Sequence, residues 1–330
     1  MVQNFDDTTV DSDSSIRPSW EGIGPKGKSI LVTGGGGFIG SHVVDSLVEH
    51  NEVRVLDNFT SGFRSNVHPD ATVIEGDMRN EAVLEEAMAG ADIVFHEAAL
   101  VSVTKSIEAP KQSHEMNVSA TVDVLDHARR EDARVVLASS AAIYGAPQSL
   151  PISEDHPKNP MSPYGLDKLM ADRYARFYHE QYGLETVTLR YFNAYGPRQV
   201  ANAYSGVVSI FIDQAQNGEP ITVEGDGSQA RDFIHVSDIV QANLRAATAD
   251  VSGEAFNVGT GNSITIQKLA NVIHSIVDSK SEVYYREVRS DDISQSRADI
   301  SKIESMLGYG PTVDLQTGLE TLSPENKSVK

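Results

Sequence analysis

The sequence predicts an α/β protein built on a doubly wound parallel sheet, and three features predict it. The first is the stretch Ser29–Gly40, SILVTGGGGFIG, with the helical pattern that follows it. The second is a further apolar strand, EVRVLD, ending in Asp57. The third is the continued alternation of short apolar runs with amphipathic segments, which implies parallel strands wrapped by helices on both faces.

Taken in order, residues 1 to about 25 are acidic, rich in Ser and Thr and without periodicity, and read as a tail whose end Trp20 anchors. Ile30, Leu31 and Val32 fit a buried parallel strand. Four consecutive glycines then end it, because they offer no side chain to pack. Gly34, Gly37 and Gly40 are spaced three apart, and Phe38 and Ile39 are expected to point into the core. The segment SHVVDSLVEH places Val43, Val44, Leu47 and Val48 on one helical face. Strand, glycine turn and helix N-terminus together form an anion site: free N–H groups and the helix dipole meet a pyrophosphate, and missing side chains permit close approach. An acid at the tip of the second strand, Asp57, would hold adenosine ribose hydroxyls. The competing reading is a structural turn beside a solvated aspartate.

Strands are expected at 29–33, 53–57, 72–75, 92–96, 134–139 and 186–191. In such a sheet ligands lie at the C-terminal strand ends. Those ends carry Asn58, Ser61 and Gly62 in NFTSG, Asp77 and Met78 in EGDMRN, and Ala98 and Ala99 in HEAALVSV. The two alanines are small enough for a flat ring to lie against backbone. The fifth strand, RVVLASS, ends at Ser139 and Ser140.

A long helix is expected from about Ser162, since Leu169, Tyr174, Phe177 and Tyr178 recur at helical spacing. Tyr164 and Lys168 are four apart and share one face of it. A solvated face is the bland alternative, but the chemistry explains the spacing. Tyrosine, with a pKa of about 10, is a poor base at neutral pH. A lysine ammonium one turn away, with a positive nicotinamide ring, favours the phenolate. The Ser140 hydroxyl can steady the same substrate oxygen, and Lys168 can hold the nicotinamide ribose. Together they would remove a proton from a secondary alcohol while hydride leaves its carbon.

Composition bounds the rest. With 330 residues the chain can bury a full core in one domain or two joined ones. It has no cysteine, which removes disulfides, thiolate nucleophiles and Cys-ligated zinc. Its ten histidines show no metal-ligand spacing, so no metal is expected. A formal charge of −20 argues against nucleic-acid binding. No apolar run is long enough to span a membrane and the N-terminus is polar, so a cytoplasmic enzyme without a membrane partner is expected. The acidity fits a salty cytoplasm or ordinary acidity plus an acidic tail.

At this point the chain resembles the extended short-chain dehydrogenase/reductase family, in particular its NAD-dependent nucleotide-sugar epimerases typified by UDP-glucose 4-epimerase. TGGGGFIG, SSAAIYG, SPYGLDK, LRYFNAYGPRQ, GDGSQARDFIHVSD, FNVGTG and RSDDISQSRADISK match in order over about residues 28 to 321. The resemblance implies a Rossmann-type NAD-binding domain over 28–190, to which 232–258 return. It implies a smaller α/β C-terminal substrate domain over 191–231 and 259–321, with tails at 1–27 and 322–330. It implies NAD as a tightly held cofactor, with Ser140, Tyr164 and Lys168 catalytic. Asp57 and Asp77 would contact the adenosine half, and Asn117 would lie near the nicotinamide end. For the nucleotide sugar it implies Asn193, Val207, Val223, Arg231, Arg289, Asp292 and Ser296. Guanidinium groups suit a diphosphate and a carboxylate suits ribose hydroxyls. A salt bridge to Asp232 is the competing role for Arg231.

Two departures matter. Glu224 stands where relatives often carry an aromatic residue to stack on uracil, which weakens uridine as the base. Ala141 and Ala142 stand where dehydratases of the family place Asp-Glu, and decarboxylases a glutamate. The resemblance therefore implies 4-epimerisation of a UDP-hexose through a 4-keto sugar. Ser296, small where relatives can carry tyrosine, would admit the N-acetylated pair as well. Other members of the family, acting on a uronic acid sugar or on dTDP- or GDP-sugars, are the alternative, and a non-catalytic NAD-binding protein is a more distant one. A homodimer is also implied, through a four-helix bundle of the Tyr-x-x-x-Lys helix and the helix before strand five. Leu169, Met170, Tyr174, Phe177 and Tyr178 on the first, and Val118, Val122, Val124 and Leu125 on the second, are expected to supply it.

Overall fold

The computed structural model describes residues 22–200, 206–277, 281–287 and 293–323. Strands β1 (Ser29–Thr33), β2 (Glu52–Asp57), β3 (Thr72–Glu75), β4 (Ile93–His96), β5 (Arg134–Ser140) and β6 (Thr186–Tyr191) lie within a residue of the expected bounds. Among the described residues they join a seventh strand, Glu254–Val258, in one parallel sheet. Its order is Glu254–Val258, β6, β5, β4, β1, β2, β3. The chain reverses direction across the sheet between β1 and β4, and at such a switch point a crevice opens beyond the strand ends.

Helices α1 (Phe38–Leu47), α2 (Glu81–Met88), α3 (Val103–Glu108), α4 (Pro110–His114), α5 (Ala120–Glu131) and α6 (Pro163–Tyr182) follow. Strand alternation sends Ile30 and Val32 to the layer with α1 and the helix Val236–Thr248. It sends Leu31 to the opposite layer, with α2, α5 and α6. Both faces of the sheet are thus covered, as a Rossmann fold requires. A buried ion pair backs the sheet: Arg190 Nε donates to Asp172 at 2.8 Å, joining β6 to α6.

The C-terminal part is a smaller α/β domain around its own core of Phe211, Val223, Leu269 and Ile273. Its short strands pair as Ile221–Glu224 with Val283–Arg286 and Ala230–Arg231 with Ile264–Thr265. The buried carboxylate of Asp232 fastens several of its segments, accepting from Thr260 N (2.9 Å), Thr260 Oγ1 (2.7 Å), Gly261 N (3.1 Å) and Ala298 N (3.1 Å).

Three expectations need correction. Packing begins before residue 28: Ile23 lies against the sheet core and Asn51 Nδ2 donates to the Pro25 carbonyl at 2.9 Å; Trp20 lies outside the described residues. Ile39 does pack on the core, but Phe38 is half-buried and meets His42 edge-on, with ring centroids 6.1 Å apart. Val118, Val124 and Leu125 are buried, the last two against the sheet, so they are not available to a second copy. Tyr178 likewise turns inward, whereas Met170, Tyr174 and Phe177 are exposed, together with Leu166. A helix packed flat on a sheet hides the residues nearest that sheet, whatever their apolar neighbours do.

Candidate active site

The glycine loop is a backbone-on-backbone contact. Gly34 has φ +72°, and a Cβ there would stand 2.7 Å from the Ala98 nitrogen. A Cβ on Gly40 would collide with the Gly34 carbonyl. The loop therefore closes only with hydrogen at both positions. α1 opens at Gly37 with no side-chain cap and no acid in its first turn. By contrast, Asn80 caps α2 and Ser162 caps α6. The N–H groups of α1 are left for an anion, and Ser139 Oγ, at the tip of β5, is buried without a hydrogen-bond partner. A dinucleotide pyrophosphate and its polar far end fit these features.

Around the tips of β2 and β3 the predicted residues are linked. Asp57 accepts from Gly36 N at 2.9 Å and Phe59 N at 2.7 Å, which fixes its carboxylate beside the loop. Asn58 donates to Asp77 at 3.3 Å. Arg79 grips Asp77 through Nε at 2.9 Å and Nη2 at 2.6 Å. These bonds from Arg79 lower the Asp77 pKa to about 2. Gly62 packs on Gly36, Ser61 is exposed, and the Met78 side chain sits in the core, so only its main chain can face a ligand.

At the tip of β4, Ala98 N donates to Thr33 Oγ1 at 3.3 Å, and Ala99 follows on the same loop. Asn117 holds that loop. Its Oδ1 accepts from Leu100 N at 2.8 Å and its Nδ2 donates to Leu100 O at 3.0 Å. It stands in a π-helical stretch, Glu115–Ser119, the kind of bulge that re-aims a side chain at a functional site. Asn117 therefore positions the loop rather than reaching out with a free amide.

Ser140, Tyr164 and Lys168 come together at the end of β5. Ser140 Oγ accepts from Ala142 N at 3.1 Å and is close enough to the Tyr164 hydroxyl to favour its ionised form. Tyr164 N donates to Ser106 Oγ at 3.1 Å, which sets the start of α6 against α3. Lys168 Nζ, deep in the protein, donates to the Ala138 carbonyl at 2.8 Å. Burial lowers the Lys168 pKa to about 8, against the pull of Glu97 and Asp167. Burial pushes the Tyr164 hydroxyl up, and its interaction with Ser140 opposes this.

On the other side of the crevice, Asn193 Nδ2 donates to the Asp232 carbonyl at 3.0 Å. Val207 begins the helix Val207–Gln216, and the Val223 side chain is in the domain core, so Val223 can offer only its main chain. Arg231 Nη1 donates to Ala230 O at 2.8 Å. Asp232, its suggested salt-bridge partner, is already committed to Thr260, Gly261 and Ala298. Ser296, buried, is drawn beside Arg231 because its N–H bonds the Ala230 carbonyl at 3.0 Å. Arg289 and Asp292 lie outside the described residues.

Sequence reasoning missed Glu97 and Tyr191. The Tyr191 hydroxyl donates to Glu97 Oε1 at 2.7 Å. The signal in the sequence is the acid that immediately follows the buried strand IVFH and precedes Ala98 and Ala99.

A Rossmann sheet with a glycine-loop anion site and a serine, tyrosine and lysine at one strand tip defines a dinucleotide-dependent oxidoreductase-type enzyme. The chain belongs to the NAD dependent epimerase/dehydratase family, whose profile matches residues 30–259. It is 40% identical over 295 residues to a putative UDP-glucose 4-epimerase of Methanocaldococcus jannaschii, covering 88% of this chain and 96% of that protein. Among solved structures it is similar to a UDP-N-acetylglucosamine 4-epimerase from Methanobrevibacter ruminantium M1 in complex with UDP-N-acetylmuramic acid. That likeness has a TM-score of 0.87 at 38% identity and covers 90% of this chain and 98% of the other. A UDP-glucose 4-epimerase with UDP-glucose from Thermotoga maritima gives a TM-score of 0.88 at 36% identity, covering 92% of this chain and all of the other.

Proposed function

We propose that this protein is an NAD-dependent UDP-hexose 4-epimerase, acting on UDP-glucose and UDP-galactose and on their N-acetylated counterparts. One observation carries the reading. The tip of β5 holds Ser140, Tyr164 and Lys168 but offers only the methyl groups of Ala141 and Ala142 where an acid–base pair for elimination would stand. With one base, the accessible chemistry is reversible oxidation at one carbon.

When bound, NAD supplies a reversible hydride acceptor for the sugar's C4. Gly34, Gly37, Phe38, Ile39 and Gly40 would hold its pyrophosphate, and Asp57, Asn58, Ser61, Gly62, Asp77 and Met78 its adenosine half. Ala98, Ala99 and Asn117 would shape its far end. Tyr164 takes the proton of the C4 hydroxyl and later returns it, and Ser140 steadies the same oxygen. Lys168 keeps positive charge near the phenolate as it forms. Asn193, Val207, Val223, Arg231, Arg289 and Asp292 would hold the nucleoside diphosphate. Holding that half fixed while the keto sugar turns over exposes its opposite face, so configuration inverts.

The same reading makes the protein a cytoplasmic homodimer, with an NAD-binding domain over 28–190 and 232–258 and a substrate domain over 191–231 and 259–321. Exposed Leu166, Met170, Tyr174 and Phe177 on α6 support the dimer, as do Val103 and Ile107 on α3. The test is incubation of the purified protein with UDP-, dTDP- and GDP-sugars, with products identified by NMR. Interconversion of UDP-glucose and UDP-galactose, undiminished by EDTA, is expected; activity only on another nucleotide, or only after a divalent ion is restored, would overturn the reading.

A further inference from the structure

The tip of β4 carries an ionisable group that the proton transfer above does not use. Glu97 follows β4, and its carboxylate accepts from the Tyr191 hydroxyl at 2.7 Å. Asn243 Nδ2, from the helix Val236–Thr248, donates to the same hydroxyl at 2.8 Å. With its oxygen taken by Asn243, Tyr191 commits its one proton to Glu97. β5 lies between β4 and β6, so this bond passes across the end of the strand that carries Ser140. Lys168 is hydrogen-bonded to Ala138 on that same strand, and the charges of Lys168 and Glu97 act on each other there.

We propose that Glu97 is a positioning residue for this reaction: held by Tyr191, its carboxylate is the counter-charge that keeps Lys168 protonated beside Tyr164. The inference rests on the epimerase reading for its activity readout alone. The groups around the pair come from each neighbouring element. α6 supplies Lys168, Tyr164 and Asp167, β6 supplies Tyr191, and the helix Val236–Thr248 supplies the neutral Asn243. His96, the residue before Glu97, is held between Thr33 at 2.7 Å and Thr121 at 3.0 Å, and burial lowers its pKa to about 3, so it stays neutral.

Burial raises the Glu97 pKa to about 7, with the Tyr191 bond and the Lys168 charge opposing, while Lys168 stands at about 8. Each charge favours the other: protonating Glu97 removes the counter-charge that holds the Lys168 pKa up, and neutralising Lys168 removes the charge that holds the Glu97 pKa down. Replacing Glu97 by Gln keeps an acceptor for Tyr191 but removes the charge at every pH, so the Lys168 pKa must fall further.

The experiment compares native protein with Glu97→Gln and Tyr191→Phe. In Glu97→Gln the basic limb of the kcat profile should move to lower pH, while at acid pH, where Lys168 is protonated with or without a counter-charge, kcat should match the native protein. For a move of about one unit that is roughly a fivefold loss of kcat at pH 8, with KM for the UDP-sugar unchanged. In Tyr191→Phe the carboxylate loses its donor and holds its proton to higher pH, so the basic limb should move in the same direction as in Glu97→Gln. Nitrogen NMR of the Lys168 amine, assigned with Lys168→Met, reads the same shift without turnover. A Lys168 titration unchanged by Glu97→Gln would overturn the proposal. A shifted Lys168 titration in a protein without epimerase activity would sustain it and sink the functional reading instead.

Discussion

Lys168 Nζ donates to the Ala138 carbonyl at 2.8 Å, which ties the helix bearing Tyr164 to the strand that ends in Ser140. The distance from base to substrate oxygen is therefore set by rigid elements rather than by a loop, and small displacements of such a group cost large factors in rate. Tyr164→Phe keeps the ring and removes the acid–base group. Its kcat should fall by at least about a hundredfold, with UDP-sugar affinity little changed. Calorimetric binding beside steady-state kinetics checks this, and near-normal turnover would refute Tyr164 as the base.

Gly40→Ala places a methyl against the Gly34 carbonyl, where there is no room. The loop must open, at a cost of about 1–3 kcal/mol for overpacking. The variant should melt at lower temperature and purify without NAD(H), whose presence in native protein the absorbance of a denatured sample reveals. Retention of cofactor at native stoichiometry would show that the glycine loop is not the pyrophosphate site.

Ser296 is buried next to the strand carrying Arg231, with its N–H fixed by Ala230. On the proposed reading, a small side chain there would leave room at the sugar's C2, and its hydroxyl would be placed to donate to an acetamido carbonyl. Ser296→Tyr should selectively remove kcat/KM on UDP-N-acetylglucosamine while sparing UDP-glucose, because a rigid ring cannot be accommodated without strain. Equal losses on both sugars would assign the gate elsewhere.

The exposed face of α6 presents Leu166, Met170, Tyr174 and Phe177 together. Pairing that face about a two-fold axis buries it against itself. Light scattering in high salt should give a dimer mass at micromolar concentration, and Phe177→Asp should shift the population toward monomer. A native monomer mass under those conditions contradicts the interface.

Much of this site was legible because its logic is local. Strand β1, the glycine loop and α1 are contiguous, so apolar runs and missing side chains declare them. Tyr164 and Lys168 share a face because a helix brings residues four apart into register. Ala141 and Ala142 spoke to the chemistry only through the resemblance to the family, whose dehydratases place an acid–base pair there. Burial was less legible: helical periodicity marked Val124, Leu125 and Tyr178 as apolar but could not say which way the helix would roll.

The glycine turn, the acid ending β2 and the Tyr–Lys spacing thus belong to the sequence alone, since each depends on neighbours along the chain and on the geometry of one strand or one helical turn. Tertiary structure alone decided that Glu97 meets Tyr191, 94 positions away, and that Asn117 clasps Leu100 instead of facing the crevice. It also decided that Lys168 titrates near 8. The reason is the order β6, β5, β4, β1: strand order sets which distant tips adjoin, and burial among them sets the cost of each charge.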